Sequence, residues 1–224
     1  MKKYAEYVFL AVTFVLVTAA AILTRQPFFR YLPLCVSMLV NLLQSRVNRY
    51  AHLLGSLNSL LYAAVYIGLR IYASAASALL LSFPMQMITF FMWRQRADGY
   101  STRLRRMNGK GRVLTLLLFA AAWTVVYLIL HALGSASIVL DNTATLLGIL
   151  VYILTMFSFI EYTFLQIVVN LVSIFLQASL LKENPGQVTY MMMTVYSTVF
   201  AVRAVFRAHT LYQKQRREKN HEYA

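Results

Sequence analysis

Uncharged hydrogen-bonding side chains recur at helical spacing along one stretch of the chain. Thr163, Gln166 and Asn170 stand at i, i+3 and i+7, and Ser173 and Gln177 continue the same face. Asn41, Asn58 and Gln86 sit inside other apolar runs. Polar groups in such runs face protein or a water-filled space, because leaving them in hydrocarbon is costly. A stripe of this kind is either hydrogen-bonding glue between helices or the lining of a solute path. Its length, with Asn58 as a partner, favours a lining.

The groups that would do covalent or acid–base chemistry are scattered. His52, His131, His209 and His221 form no pair at i, i+4, the helical spacing of metal ligands. The acids Glu6, Asp98, Asp141, Glu161, Glu183, Glu218 and Glu222 fall mostly at the ends of apolar runs or in tails. None sits in mid-run as a proton relay would require, and there is no glycine-rich phosphate loop. The expectation is a protein that is not an enzyme, carries no cofactor or metal and moves its solute passively. Asp141 and Glu161 are expected to cap helices and help set topology.

The elements that must position the polar set are membrane helices. Hydrophobic residues make up 60% of the 224 residues and charged residues only 12%, with a mean hydropathy of +0.62. A soluble core cannot hide that much apolar surface. Continuous rather than alternating apolarity excludes a strand barrel. About eight runs approach the ~20 residues a span needs: 7–24, 28–43, 51–69, 73–93, 113–133, 140–159, 162–181 and 187–206. The first reads as a membrane helix or signal anchor rather than a cleaved signal. Pro84 should kink the fourth beside Gln86. Cys35 reads as packing, Met191, Met192 and Met193 as filler, and Trp93, next to Arg94, as an interface anchor.

The net charge of +14 sits between the apolar runs, so it points to anionic lipid and topology rather than to nucleic acid. With the N-terminus inside, all of the 21 basic residues fall on the cytoplasmic side except Arg25, Arg30, Arg70 and Lys182. Both termini are therefore expected in the cytoplasm. The basic loop 94–112 reads as a topology determinant resting on lipid.

Two stretches match at one offset: Tyr50 and Asn58 where the third run opens, Tyr162 and Asn170 where the seventh opens. Internal symmetry is a mark of transporters. The expected organisation is an N-terminal helix (1–27), a first three-helix repeat (28–93), the basic loop (94–112), a linker helix (113–133), a second, parallel three-helix repeat (140–207) and a basic cytoplasmic tail (208–224).

These residues carry a family resemblance. His52 through Gly55 and Asn58 to Tyr62 resembles the W-x-x-G-x-x-N-x-x-x-Y segment of the PnuC-type vitamin-precursor transporters. Phe83 to Trp93, with Pro84 and Gln86, is similar to their P-x-Q-x-x-G-W-x-x-W segment. Asp141 to Gly148 is similar to their Asp-led sixth helix, and Glu161 to Asn170 resembles E-N-W-x-x-W-x-x-x-N. The resemblance covers roughly residues 48–207. It implies an all-α, SWEET-like architecture in a cell (inner) membrane. It also implies facilitated diffusion of nicotinamide riboside, with a cytoplasmic kinase trapping the solute, and a homo-oligomer, a trimer in the family. Thiamine, riboflavin or another nucleoside-like solute is the alternative, and a non-transporting scaffold is the alternative of another class. Asn58, Gln86 and Asn170 match the family pattern. His52 replaces a tryptophan, Thr89 and Phe90 replace Gly-Trp, and Thr163 and Gln166 replace two tryptophans. The implied substrate-binding set is Asn170, Gln166, Asn58, Gln86 and Thr163, with Tyr196 (or Tyr190) as a substitute stacking face.

Overall fold

The computed structural model describes residues 3–68, 75, 77–132, 138–181 and 186–222. Among these the chain forms eight α-helices: α1 (Lys3–Leu23), α2 (Phe28–Ser45), α3 (Tyr50–Gly68), α4 (Phe83–Gln95), α5 (Gly109–Ala132), α6 (Ile138–Met156), α7 (Glu161–Leu180) and α8 (Gln187–Glu222). A two-stranded hairpin, β1 (Ala97–Asp98) and β2 (Ser101–Thr102), follows α4. The helices agree with the eight expected runs, although residues 69, 73, 74, 76 and 133 lie outside the described residues. Five of them, α1, α5, α6, α7 and α8, are long and apolar enough to cross a membrane by length and composition. The other three hold much of the polar set. In α3, His52, Ser56, Asn58 and Ser59 are all buried. A helix that turns such a face to protein needs less apolarity overall. The protein is an all-α, multi-pass membrane protein.

Pro84 interrupts the fourth span not as a simple kink but through a π-helical turn, Ala78–Ser82, that runs into α4. The Phe83 N–H donates to the Ala78 carbonyl, one residue further back than in an α-helix. Proline has no N–H to offer, so the backbone widens just ahead of it. That widened turn borders a cavity lined by much of the polar set.

On α1, Glu6, Thr13, Val17 and Ala21 recur at steps of seven, four and four and are buried against α2 and α8. The Phe9 ring stacks on Tyr196 at 5.4 Å. Glu6 is 3% exposed at its side chain and accepts from Arg46 at 3.0 Å and from Arg203 of α8. Arg46 also donates to the Tyr7 hydroxyl at 3.2 Å. One carboxylate thus ties three helices together. Glu6→Ala would leave two cations facing each other. Both arginines keep part of their solvent contact, so the expected loss is about 2 kcal/mol, below that of a fully buried pair. Thermal unfolding in detergent checks this, and adding Arg203→Met should recover part of the loss.

Several elements meet at the basic end. The backbone of the 94–112 loop does not simply rest on lipid: it is bonded to protein. The hairpin turns at Gly99 (φ 59), and Tyr100 O accepts from the N–H of Arg49 in the α2–α3 turn. Arg105 bonds Ser158 O and the Ile160 N–H in the α6–α7 turn, both at 2.9 Å. Gln215 donates to Asp98 and to Thr102 O, and accepts from the Leu104 N–H. Glu161 accepts from Arg112 at 2.7 Å and from the Met107 N–H, so it anchors this loop as well as opening α7. Gln215 belongs to residues expected as a tail. Instead α8 runs for 36 residues, about 54 Å against a hydrocarbon core of about 30 Å.

Trp93 is not an interface anchor. It is 1% exposed, its Nε1–H donates to Thr155 O at 2.7 Å, and its ring meets His52 edge-on at 4.6 Å. It therefore pins α4 to α3 and α6.

Candidate functional site

A cavity of about 580 Å³ lies among α2, α3, the π-turn and α4 on one side and α6, α7 and α8 on the other. Among the described residues its lining comes from these elements and from Ser77 just ahead of the π-turn, and from neither α1 nor α5. The volume falls within the range of pockets that enclose small molecules. Among the described residues that line it, none carries a formal charge.

Four of the six expected site residues, Asn58, Gln86, Gln166 and Asn170, meet here. Each has a fixed orientation. Ser37 Oγ donates to Pro33 O at 2.9 Å, so it accepts from Asn58 Nδ2 at 2.8 Å. Gln86 Nε2 donates to Gly55 O and Ser59 Oγ at 3.2 and 3.0 Å. Gln166 Nε2 donates to Asn170 Oδ1 at 3.0 Å, Asn170 Nδ2 to Ser197 Oγ at 3.0 Å, and Ser197 to Asn41 Oδ1 at 3.4 Å. That chain crosses from α7 through α8 to α2. Gln177 and Thr194 pair at 3.0 Å further along the stripe. Glue and lining are therefore the same residues. The amide nitrogens of Asn58, Gln86 and Asn170 hold neighbouring helices, while the carbonyl oxygens of Asn58, Gln86 and Gln166 accept no hydrogen bond from the described residues. Asn58 Oδ1 is buried without a partner. An unmet acceptor in so polar a space is complementary to a donor from solute or water.

The other two expected residues stand elsewhere. Tyr196 does not line the cavity. Its hydroxyl donates to Met38 O at 3.1 Å, and its ring is packed in the α1–α2–α8 core with Phe9 and Phe200. Its neighbours Met193 and Ser197 take the cavity face instead. Tyr190 packs on the same core. Thr163 is 2% exposed and bonds Ile160 O. It lines a smaller chamber of about 50 Å³ with His52, Thr89, Thr155 and Tyr162. That chamber shares Asn41, Gln44 and Gln166 with the large cavity and extends it toward the basic end.

The aromatic faces come from Tyr62, Tyr66 and Tyr152. Tyr62 and Tyr66 stack at 5.9 Å and 25°, and Tyr62 OH lies 3.4 Å from Ser37 Oγ. Tyr152 was missed in the sequence. Its signal is Gly148 four residues earlier on the same face of α6, also at the cavity.

Gly55 has a steric role. A Cβ there would fall 1.8 Å from Gln86 Oε1 and 2.9 Å from its Cδ. Gly55→Ala would force the amide to rotate away from Gly55 O and Ser59. We expect the cavity lining to rearrange there, with a modest loss of stability from the disturbed buried amide. The melting temperature of the variant beside the wild type checks the loss.

Residues 27–210 match the family described as nicotinamide mononucleotide transporter. A Neisseria mucosa protein named nicotinamide riboside transporter PnuC is 31% identical over 151 residues, 65% of this chain. The match spans 57% of that relative's length, a little over half. A crystal structure described as the vitamin B3 transporter PnuC superposes with a TM-score of 0.78 at 21% identity, covering 96% of this chain and 94% of the other. At that identity the likeness is one of fold.

Proposed function

Because this chain belongs to the nicotinamide mononucleotide transporter family, we propose that it carries nicotinamide riboside across the cell membrane by facilitated diffusion and discriminates against the mononucleotide. The observation that supports this is the uncharged cavity with its unpaired carbonyl oxygens and tyrosine faces. A mononucleotide brings a phosphate of charge about −1.5 to −2 near pH 7, and burying it without a cation is strongly unfavourable. The riboside brings a pyridinium cation, a carboxamide and hydroxyls. Carbonyl oxygens and aromatic faces attract that cation, and the free acceptors of Asn58, Gln86 and Gln166 suit the amide and hydroxyl donors. Asn170 holds Gln166 in place. Tyr62 and Tyr66 supply the stacking surface the missing tryptophans would have given. Thr163 stands beside the smaller chamber, on the way to the basic end.

Among the described residues that line the large cavity there is no carboxylate or histidine to carry a coupled proton, which supports passive movement. Trapping by a cytoplasmic kinase would then draw the riboside inward. The basic end is the cytoplasmic one in this reading, with both termini there. Helices α2–α4 and α6–α8 act as two parallel repeats (28–93 and 140–207) around the solute, with α5 as linker. Assembly as a homo-oligomer, a trimer by resemblance, is part of the same proposal. A scaffold would have no use for an open polar cavity of this size.

Counterflow into proteoliposomes tests the reading. Labelled nicotinamide riboside should exchange with internal riboside. Unlabelled mononucleotide should compete at least roughly a hundredfold less well, the cost of about 3 kcal/mol for an uncompensated charge. Equal competition by the mononucleotide, or exchange of thiamine or riboflavin but not the riboside, would overturn it.

A further inference from the structure

At the basic end a depression of about 210 Å³ lies between the start of α7, one face of α8 and the segment from the loop after β2 to the start of α5; of its lining only Thr163 also borders the smaller chamber. Its floor is apolar, made by Ile160, Phe164 and Val205. Phe164 is 63% exposed and lies within the apolar window Glu161–Ser179, so the floor is continuous with the surface that faces acyl chains. Arg106, Arg112, His209 and Tyr212 form the rim. Val205, His209 and Tyr212 follow at steps of four and three and share one face of α8.

The charges on this rim are unevenly matched. Arg112 is paired with Glu161, the acid of the depression. Arg106 and His209 are exposed, and among the described residues neither side chain has an ion pair or hydrogen bond. A cationic rim at the level where α5 and α7 begin, above an apolar floor open to the bilayer, has the two-part chemistry of an amphiphile.

We infer that this depression binds an anionic phospholipid. The phosphate is held between Arg106, His209 and the Tyr212 hydroxyl, and an acyl chain lies along Phe164 and Val205. The proposal does not depend on which solute is carried.

Native mass spectrometry of the purified full-length chain tests it, with phosphatidylglycerol and phosphatidylcholine of matched chains titrated into detergent. Inorganic phosphate serves as the tail-free probe. Phosphatidylglycerol should remain bound where phosphatidylcholine is lost. Arg106→Gln with His209→Gln should weaken its retention about tenfold. Phe164→Ser should weaken it too, while Arg216→Gln on the protruding end of α8 should not. Equal retention of the two lipids overturns the proposal, as does indifference to Arg106→Gln with His209→Gln. If inorganic phosphate displaces the lipid completely and Phe164→Ser has no effect, the site is one for free phosphate and the lipid assignment fails.

Discussion

Asn170→Ala should lower the initial rate of nicotinamide riboside uptake by about tenfold to a hundredfold, with the protein still folded in detergent. Asn170 is 5% exposed and occupies the middle of the chain from Gln166 to Ser197 and Asn41. Its loss frees Gln166 to turn its amide into the cavity and leaves Ser197 without its donor. A site that hydrogen-bonds its ligand loses about 1–3 kcal/mol for each buried polar group left mispaired, which sets the range given. The network has other links between α7 and α8, among them the Gln177–Thr194 pair. The melting temperature should therefore fall by only a few degrees while uptake collapses. Rate and melting point measured on one preparation separate the two effects.

The largest effect on stability is expected at Trp93. Trp93→Ala should cost about 3–5 kcal/mol, the usual range for emptying a buried aromatic site. The ring touches His52 at 4.6 Å and lies 6.2 Å from Tyr162, joining α3, α4 and α7. Its N–H also satisfies the Thr155 carbonyl of α6. Trp93→Phe keeps much of the packing and loses that bond, so it should cost roughly 1–2 kcal/mol. Melting temperatures of the wild type and both variants in one detergent give the order. If the alanine variant does not accumulate, the phenylalanine variant still carries the comparison.

The helices were legible because a span needs a long apolar run, and the runs are separated by charged or polar breaks. The amide set was legible because Asn and Gln in hydrocarbon are costly enough to be placed for a reason. What stayed hidden depends on contacts distant in sequence. An aromatic beside an arginine looks the same whether it meets headgroups or a buried Thr155 carbonyl, so Trp93 was misread. Tyr196 and Ser197 are about 100° apart on α8, and hydropathy does not say which of the two faces the cavity. The basic tail ended the apolar signal without ending the helix, because Gln, Lys, Arg and Glu are good helix formers. The bonds that fix the 94–112 loop reach Ser158 and Gln215, which no local pattern marks. Glu6 looked like one more scattered acid until Arg46 and Arg203 came together around it.

The most direct test of the uncharged cavity as a riboside site is thermal stabilisation of the purified protein by nicotinamide riboside and by nicotinamide mononucleotide, for the wild type and for Asn170→Ala. A ligand that binds only the folded state raises the melting temperature by mass action. The melting temperature should rise with riboside concentration, stay level with the mononucleotide over the same range, and lose its response to the riboside in Asn170→Ala. A rise with the mononucleotide equal to that with the riboside, or a riboside effect unchanged in Asn170→Ala, would contradict the riboside site.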